Sequence, residues 1–134
     1  MAYDFLDLHL ADQISLSDDH LALKKAVRRF ATEVVRPAAI ELDKMSAEEV
    51  ARKDSPYWAV MRKVHELGYH TIFISEEYGG LGLDPLGIHI FFEEMAAASI
   101  GIAVACGVDV FPTFFANMIV SDYPQLEDIL LKPY

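Results

Sequence analysis

The sequence predicts an all-α, helical bundle-like domain of five to six helices with no sheet. Three observations carry that expectation. In 17–35 and 55–67 the apolar residues recur at helical spacing. Beyond Pro85 the chain is apolar nearly all round, the pattern of helices enclosed by neighbours in a bundle. The one β-prone run, Thr71-Ile72-Phe73-Ile74, is only four residues long and reads as an extended lead into a glycine-rich loop.

Residues 1–16 show no clear period and are expected as an N-terminal arm, with the helical domain running over 17–134. Ser17 is a candidate N-cap, and Asp18 and Asp19 suit the positive end of a helix dipole. Leu23, Ala26, Val27, Phe30, Ala31 and Val34 then form one stripe, an amphipathic helix of about five turns. Lys24, Lys25, Arg28 and Arg29 lie mostly off the stripe and read as a solvated face. Pro37 cannot supply a backbone donor, so the helix is expected to kink or end near Val35, with helical character resuming over 38–44. The charged stretch 45–54 lacks a stripe and reads as an exposed connection. Ser55-Pro56 signals a second helix start, carried on by Tyr57, Val60, Met61, Val64 and Leu67 and stopped by Gly68.

The run Ser75-Glu76-Glu77-Tyr78-Gly79-Gly80-Leu81-Gly82-Leu83 breaks the chain, and Asp84-Pro85 restarts it as N-cap and first helical residue. The next helix covers 86–99 and is apolar except for Glu93 and Glu94. Gly101 is the expected break. A further helix over 102–120 is expected to be interrupted at Gly107 and Pro112. Ser121-Asp122-Tyr123-Pro124 is turn chemistry, followed by a short helix over 125–131.

Composition narrows the function classes. Net charge is −10, from 21 acidic against 11 basic residues, the reverse of what phosphate backbones attract, so no nucleic-acid partner is expected. Hydrophobic residues make up 53% of the 134. Such a chain either buries an unusual share of itself or keeps an apolar surface for a partner. The stretch 95–120 holds a single charge, Asp109, yet Pro112, Ser99, Thr113 and Asn117 argue for a buried helix over a membrane span. Cys106 is the lone cysteine, and the opening 1–12 carries Asp4, Asp7 and Asp12 with no Lys or Arg, so a reducing, cytoplasmic setting is expected.

No catalytic or metal constellation emerges from the residues. Adjacent Glu93 and Glu94 point about 100° apart on a helix and cannot flank one bond together, so structural use is favoured. The histidines, His9, His20, His65, His70 and His89, form no Glu-x-x-His pair, and no metal site is expected. Gly79-Gly80-x-Gly82 lacks the Lys-Ser/Thr of a P-loop and the preceding strand of a dinucleotide fold. Cys106 lies in an apolar run without a base nearby. One helical face is different. Ala103, Val104, Gly107, Val108 and Phe111 fall at i, i+1, i+4, i+5 and i+8, and could line a narrow apolar channel or simply allow close helix packing.

Glu76-Glu77-Tyr78-Gly79-Gly80-Leu81-Gly82-Leu83, preceded by Glu66-Leu67-Gly68, resembles the N-terminal helical domain of acyl-CoA dehydrogenases. Arg36-Pro37-x-Ala39-x-Glu41-x-Asp43 resembles the end of that family's first helix, and Glu93-Glu94-Met95-Ala96 its later helix. Order and spacing agree over about residues 17–125, although Ser75 stands where proline is common. The resemblance implies an oxidoreductase in which a glutamate base removes the α-proton of an acyl-CoA while FAD takes a hydride from the β-carbon. It implies electron-transferring flavoprotein as the acceptor and a homo-oligomeric full enzyme. It also implies that the face of Ala103, Val104, Gly107, Val108 and Phe111 walls the acyl pocket, with Phe111 shortening it and Gly107 leaving width.

That family also has a middle β-domain and a C-terminal helical domain, and this sequence ends near where the former would begin. The expectation is therefore a chain without catalytic residues or a flavin site of its own. It would work with the remaining domains or a complementary subunit, which would bind FAD. Two alternatives stay open: a non-catalytic helical interaction module, and the flavin monooxygenase or nitroalkane oxidase branch of the same superfamily.

Overall fold

α1 (Asp18–Phe30) begins with a reciprocal cap. The Ser17 hydroxyl accepts from the His20 amide while the Ser17 amide donates to His20 Nδ1. This is a computed structural model, and it describes residues 16–132. Residues 1–15 of the expected arm lie outside the described residues. Val27 and Phe30 are buried as the stripe requires, but the stripe is rotated. Ala26 is exposed and Lys24 is buried.

The proline does not end the helix. Ala31–Val35 widens into a single π turn, in which the Arg36 amide reaches back five residues to the Ala31 carbonyl. α2 (Arg36–Leu42) continues with Pro37 in its first turn. A π turn shifts the hydrogen-bond register, so the donor that proline lacks falls where the ladder is already changing. The exposed connection contains a four-residue helix, α3 (Ala47–Val50), closed by a Ser46–Glu49 capping box. α4 (Pro56–Glu66) starts at Ser55 as expected, but the Ser55 hydroxyl donates to the Val50 carbonyl at 2.7 Å instead of capping.

Residues 71–74 are not extended. They start on the last residue of a 3₁₀ turn, Tyr69–Thr71, and the carbonyls of Thr71, Ile72 and Ile74 are taken by the glycine loop. The Leu81 amide donates to Thr71, Leu83 to Ile72 and Gly82 to Ile74, at 3.1, 3.0 and 2.8 Å. The β-prone side chains serve the core instead, with Ile72 and Ile74 both buried. Gly79 and Gly82 take left-handed φ angles of 83° and 52°, which favour glycine.

α5 (Pro85–Ala98) is capped by Asp84, whose carboxylate accepts from the Gly87 amide at 2.7 Å. The same carboxylate meets His20 Nε2 at 3.0 Å, tying the start of α5 to the start of α1. The helix ends at Ser99, two residues before the expected break. There the backbone is extended (φ −160°, ψ 115°), and the Ser99 hydroxyl caps the next helix by accepting from the Ile102 amide. α6 (Ile100–Asp122) runs 23 residues without interruption. Pro112 is tolerated because it sits on the exposed side, beside the exposed Val108 whose carbonyl it cannot bond. A 3₁₀ turn, Pro124–Leu126, leads into α7 (Glu127–Leu130). With Asp18–Leu42 counted as one helix through its π turn, the described residues hold six helices and no strand.

The main core joins α1, the π turn, α2, α4, α5 and α6 through Val27, Val35, Ala39, Val60, Val64, Phe91, Met95, Cys106 and Val110. Tyr69 stacks at a tilt between Phe30 and Phe91, with ring centres 5.7 and 5.1 Å away. A smaller cluster of Ile74, Ala116, Val120 and Leu131 fastens the glycine loop to the end of α6.

The glutamates separate as their spacing requires. Glu94 is buried and takes a two-pronged bond from Arg28, Nε to Oε2 at 2.9 Å and Nη2 to Oε1 at 2.8 Å. With Lys24 buried on the same helix, this corrects the reading of α1's basic residues as a solvated face. Arg28→Ala is expected to cost about 2 kcal/mol, more than Glu94→Ala, because it leaves a carboxylate out of water. Arg28 is half exposed and can rehydrate when Glu94 is removed. Urea denaturation of both variants checks the order of the two losses.

The bond from the Gly87 amide, and next the contact with His20, hold the Asp84 carboxyl below its ordinary value of 3.8. A lowered pKa adds stability above the ordinary value, and this is lost as pH falls through the folded one. Asp84→Asn keeps a capping oxygen but cannot titrate. Its deficit in melting temperature against the parent should be present at pH 6 and should shrink as pH falls below about 4. A constant deficit down to pH 2 would refute this assignment.

Candidate functional site

An open groove of about 1180 Å³ runs along one side of α6. All five residues singled out in the sequence line it: Ala103, Val104, Gly107, Val108 and Phe111. They do so unequally. Ala103 is buried at the seam between helices, Gly107 is half-buried, and Val104, Val108 and Phe111 stand out with 61%, 70% and 52% of their surface exposed. A Cβ on Gly107 would meet the Phe92 ring edge at 3.5 Å, an ordinary contact distance, so Phe92 of α5 closes the groove floor beside Gly107 with space for one carbon between them. Phe92 is held in turn by an edge-to-face contact with buried Phe91, ring centres 5.1 Å apart.

The groove reaches further than the sequence reading placed it. Phe92 and Ala96 of α5 form its opposite wall, Ile100 one end, and Pro112, Phe115, Ala116 and Ile119 extend it along α6. Ile129 and Leu130 of α7 close the far side. The i+4 progression from Phe111 to Phe115 and Ile119 was visible in the sequence. No lining residue carries a polar side chain. What such a groove can do chemically is enclose hydrocarbon.

The remaining chemistry-bearing groups are occupied elsewhere. Cys106 is fully buried, 4.0 Å from Met61 Sδ. Burial, and secondarily the charge of Asp109, pushes its thiol up to about 11, the opposite of an activated nucleophile. His65 Nε2 pairs with Asp109 at 2.9 Å, and its ring stacks on His70 with centres 4.3 Å apart. Among the described residues, no group of three His, Cys, Asp or Glu side chains is placed to hold a metal ion. The amides of the glycine loop are also spent internally. Gly79 donates to Glu76, Gly80 to Ser75, and Leu81, Gly82 and Leu83 to residues 71–74. None of these amides is left to cradle a phosphate.

By length and composition α6 is also the one described helix that could cross a membrane, a test that core helices pass as well. Its other side, Ile102, Cys106, Val110 and Thr113, is buried in the domain.

Residues 17–121 match the family described as "Acyl-CoA dehydrogenase, N-terminal domain". The chain is 34% identical over 97 residues to a mitochondrial isovaleryl-CoA dehydrogenase of Arabidopsis thaliana, covering 72% of this chain and 22% of that protein. It is 33% identical over 98 residues to a glutaryl-CoA dehydrogenase of Desulfococcus multivorans, 72% of this chain and 23% of that one. Against the mitochondrial short-chain specific acyl-CoA dehydrogenase of Mus musculus it is 31% identical over 105 residues, 76% and 24% of the two chains. The chain thus spans under a quarter of the length of these relatives. No solved structure matches.

Proposed function

Since this chain belongs to the acyl-CoA dehydrogenase family, as its N-terminal helical domain, we propose that it walls the acyl pocket of a flavin-dependent acyl-CoA dehydrogenase. The observation that carries this reading is the groove. In a family whose named relatives act on isovaleryl-, glutaryl- and short-chain acyl-CoA, a cleft lined only by apolar side chains is suited to the acyl tail. The thioester is desaturated between its α and β carbons, and the domain's own task is to enclose the tail and keep water from it. Burial of each methylene contributes about 0.8 kcal/mol toward holding the substrate.

FAD would supply the hydride acceptor in the full enzyme, but the described residues do not fit it. The groove offers no polar side chain to the cofactor's ribityl or diphosphate groups, and the glycine-loop amides are already bonded. In this reading the cofactor, the glutamate base and the contact with electron-transferring flavoprotein belong to the remaining domains or a complementary subunit. The full enzyme is a homo-oligomer. The described residues therefore position substrate and carry no proton or electron step.

The test is reconstitution. Co-expression of this chain with the flavin-binding portion should yield a complex that retains flavin and reduces an artificial electron acceptor when an acyl-CoA is added. A purified 134-residue chain that is yellow and active alone would overturn the division of labour. A second reading, an interaction module, is favoured by the exposed apolar side of α6, where Ile100 is 74% exposed. Size-exclusion chromatography separates the two readings: a stable monomer that ignores the flavin-binding portion supports the module.

A further inference from the structure

We propose that Phe73 and Phe114, neither of which lines the groove, set the length of tail it takes by fixing where Phe111 and Phe115 stand. This rests on the acyl-pocket reading and assigns its length control to residues behind the pocket. Phe111 and Phe115 line the groove, yet each is 52% exposed, so little on the groove side holds them. What holds them lies behind. Phe114 meets both, with ring centres 6.0 Å from Phe111 and 5.4 Å from Phe115. Phe111 and Phe115 meet each other edge-to-face at 5.4 Å. Phe114 is in turn backed by Phe73, edge-to-face at 5.3 Å.

Phe73 is the fixed end of this row of rings. Its side chain packs against the main core, and the carbonyls on either side of it, Ile72 and Ile74, accept from Leu83 and Gly82. The Ser75 amide and hydroxyl then both donate to Asn117 Oδ1, at 3.0 and 3.1 Å, which pins this segment to α6 one turn beyond Phe114. The α6 backbone gives less support at the same place. Pro112 has no amide to offer the Val108 carbonyl, so one helix bond is missing beside Phe111 and more of the orienting falls to ring contacts. With Phe114 or Phe73 cut back, Phe111 and Phe115 can fall into the space behind them, and the groove lengthens.

Two measurements test this. In the 134-residue chain alone, Phe73→Leu is expected to shift the aromatic NMR signals of Phe111 and Phe115 by way of Phe114. Unmoved signals overturn the proposal without reference to any ligand. In the complex with the flavin-binding portion, the readout is the ratio of kcat/KM for octanoyl-CoA over butanoyl-CoA, in which a mere loss of folded enzyme cancels. Phe114→Ala is expected to raise the ratio about tenfold and Phe73→Leu about threefold. Adding Phe73→Leu to Phe114→Ala should change it no further, because the contact it removes is already gone. An unchanged ratio, or a double variant whose effects add, overturns the proposal and leaves the acyl pocket standing. Phe114→Leu takes the place of Phe114→Ala if the latter does not assemble, with the same direction expected. If the parent complex turns over neither thioester, the pocket reading fails and the length control fails with it.

Discussion

Alanine in place of Gly80 is expected to cost more than about 3 kcal/mol and to detach the glycine loop from the core. A Cβ there would lie 2.1 Å from the Ile74 carbonyl oxygen and 2.5 Å from Ile74 Cβ. Neither neighbour can yield cheaply. The carbonyl is accepting the Gly82 amide at 2.8 Å, and Ile74 is 2% exposed in the cluster that fastens the loop to α6. A shift large enough to admit the methyl group breaks that bond and opens the cluster. Gly79 is the control. A Cβ there meets nothing within 4 Å, and only its left-handed φ of 83° opposes a side chain, so Gly79→Ala should cost about 1 kcal/mol. Urea denaturation of the two variants distinguishes them, and equal losses would disprove the close-packing account. Against a typical stability of about 5–15 kcal/mol, the Gly80 change alone removes a large fraction.

Phenylalanine in place of Gly107 should move the chain-length preference of the reconstituted enzyme toward short acyl groups, by about 10- to 100-fold in kcat/KM for long over short substrates. Gly107 lies on the groove floor, where a first carbon atom is accommodated at ordinary contact distance from Phe92. A ring has no room toward Phe92 and must project into the groove, filling the space a longer tail needs. Gly107→Ala separates blockage from misfolding. It should leave the preference near that of the parent and stabilise the helix by about 0.5–1 kcal/mol, since glycine inside a helix is the worse residue. An unchanged preference in Gly107→Phe, with flavin retained, would remove Gly107 from the acyl pocket.

Much of the fold was legible because helices announce themselves locally. Ser17, Asp84 and Gly68 were read as a cap, a cap and a stop, and they act as such. The acyl-CoA dehydrogenase likeness, carried by three ordered motifs, agrees with the family found over residues 17–121. The misreadings share a cause. On α1, Arg28 turns to Glu94 on a distant segment and Lys24 is buried, and no local period encodes either. Residues 71–74 have strand-like side chains, but their carbonyls find partners in a loop eight to eleven residues on. Pro37 and Pro112 looked like breaks, yet a π turn and an open helix face absorb them.

For the groove the division is similar. The sequence by itself determined that one face of α6 would carry small and apolar residues, because that face is a matter of spacing along a single helix. Only the tertiary structure decided that Phe92 of α5 would close on Gly107, and that Ile129 and Leu130 of α7 would complete the far side. It also decided that the glycine-loop amides would be spent on residues 71–76 and not offered to a phosphate. The reason is physical. Periodicity records which side of a helix is apolar, while the shape of a cavity depends on how far separate elements approach. That approach is governed by packing among residues remote in sequence.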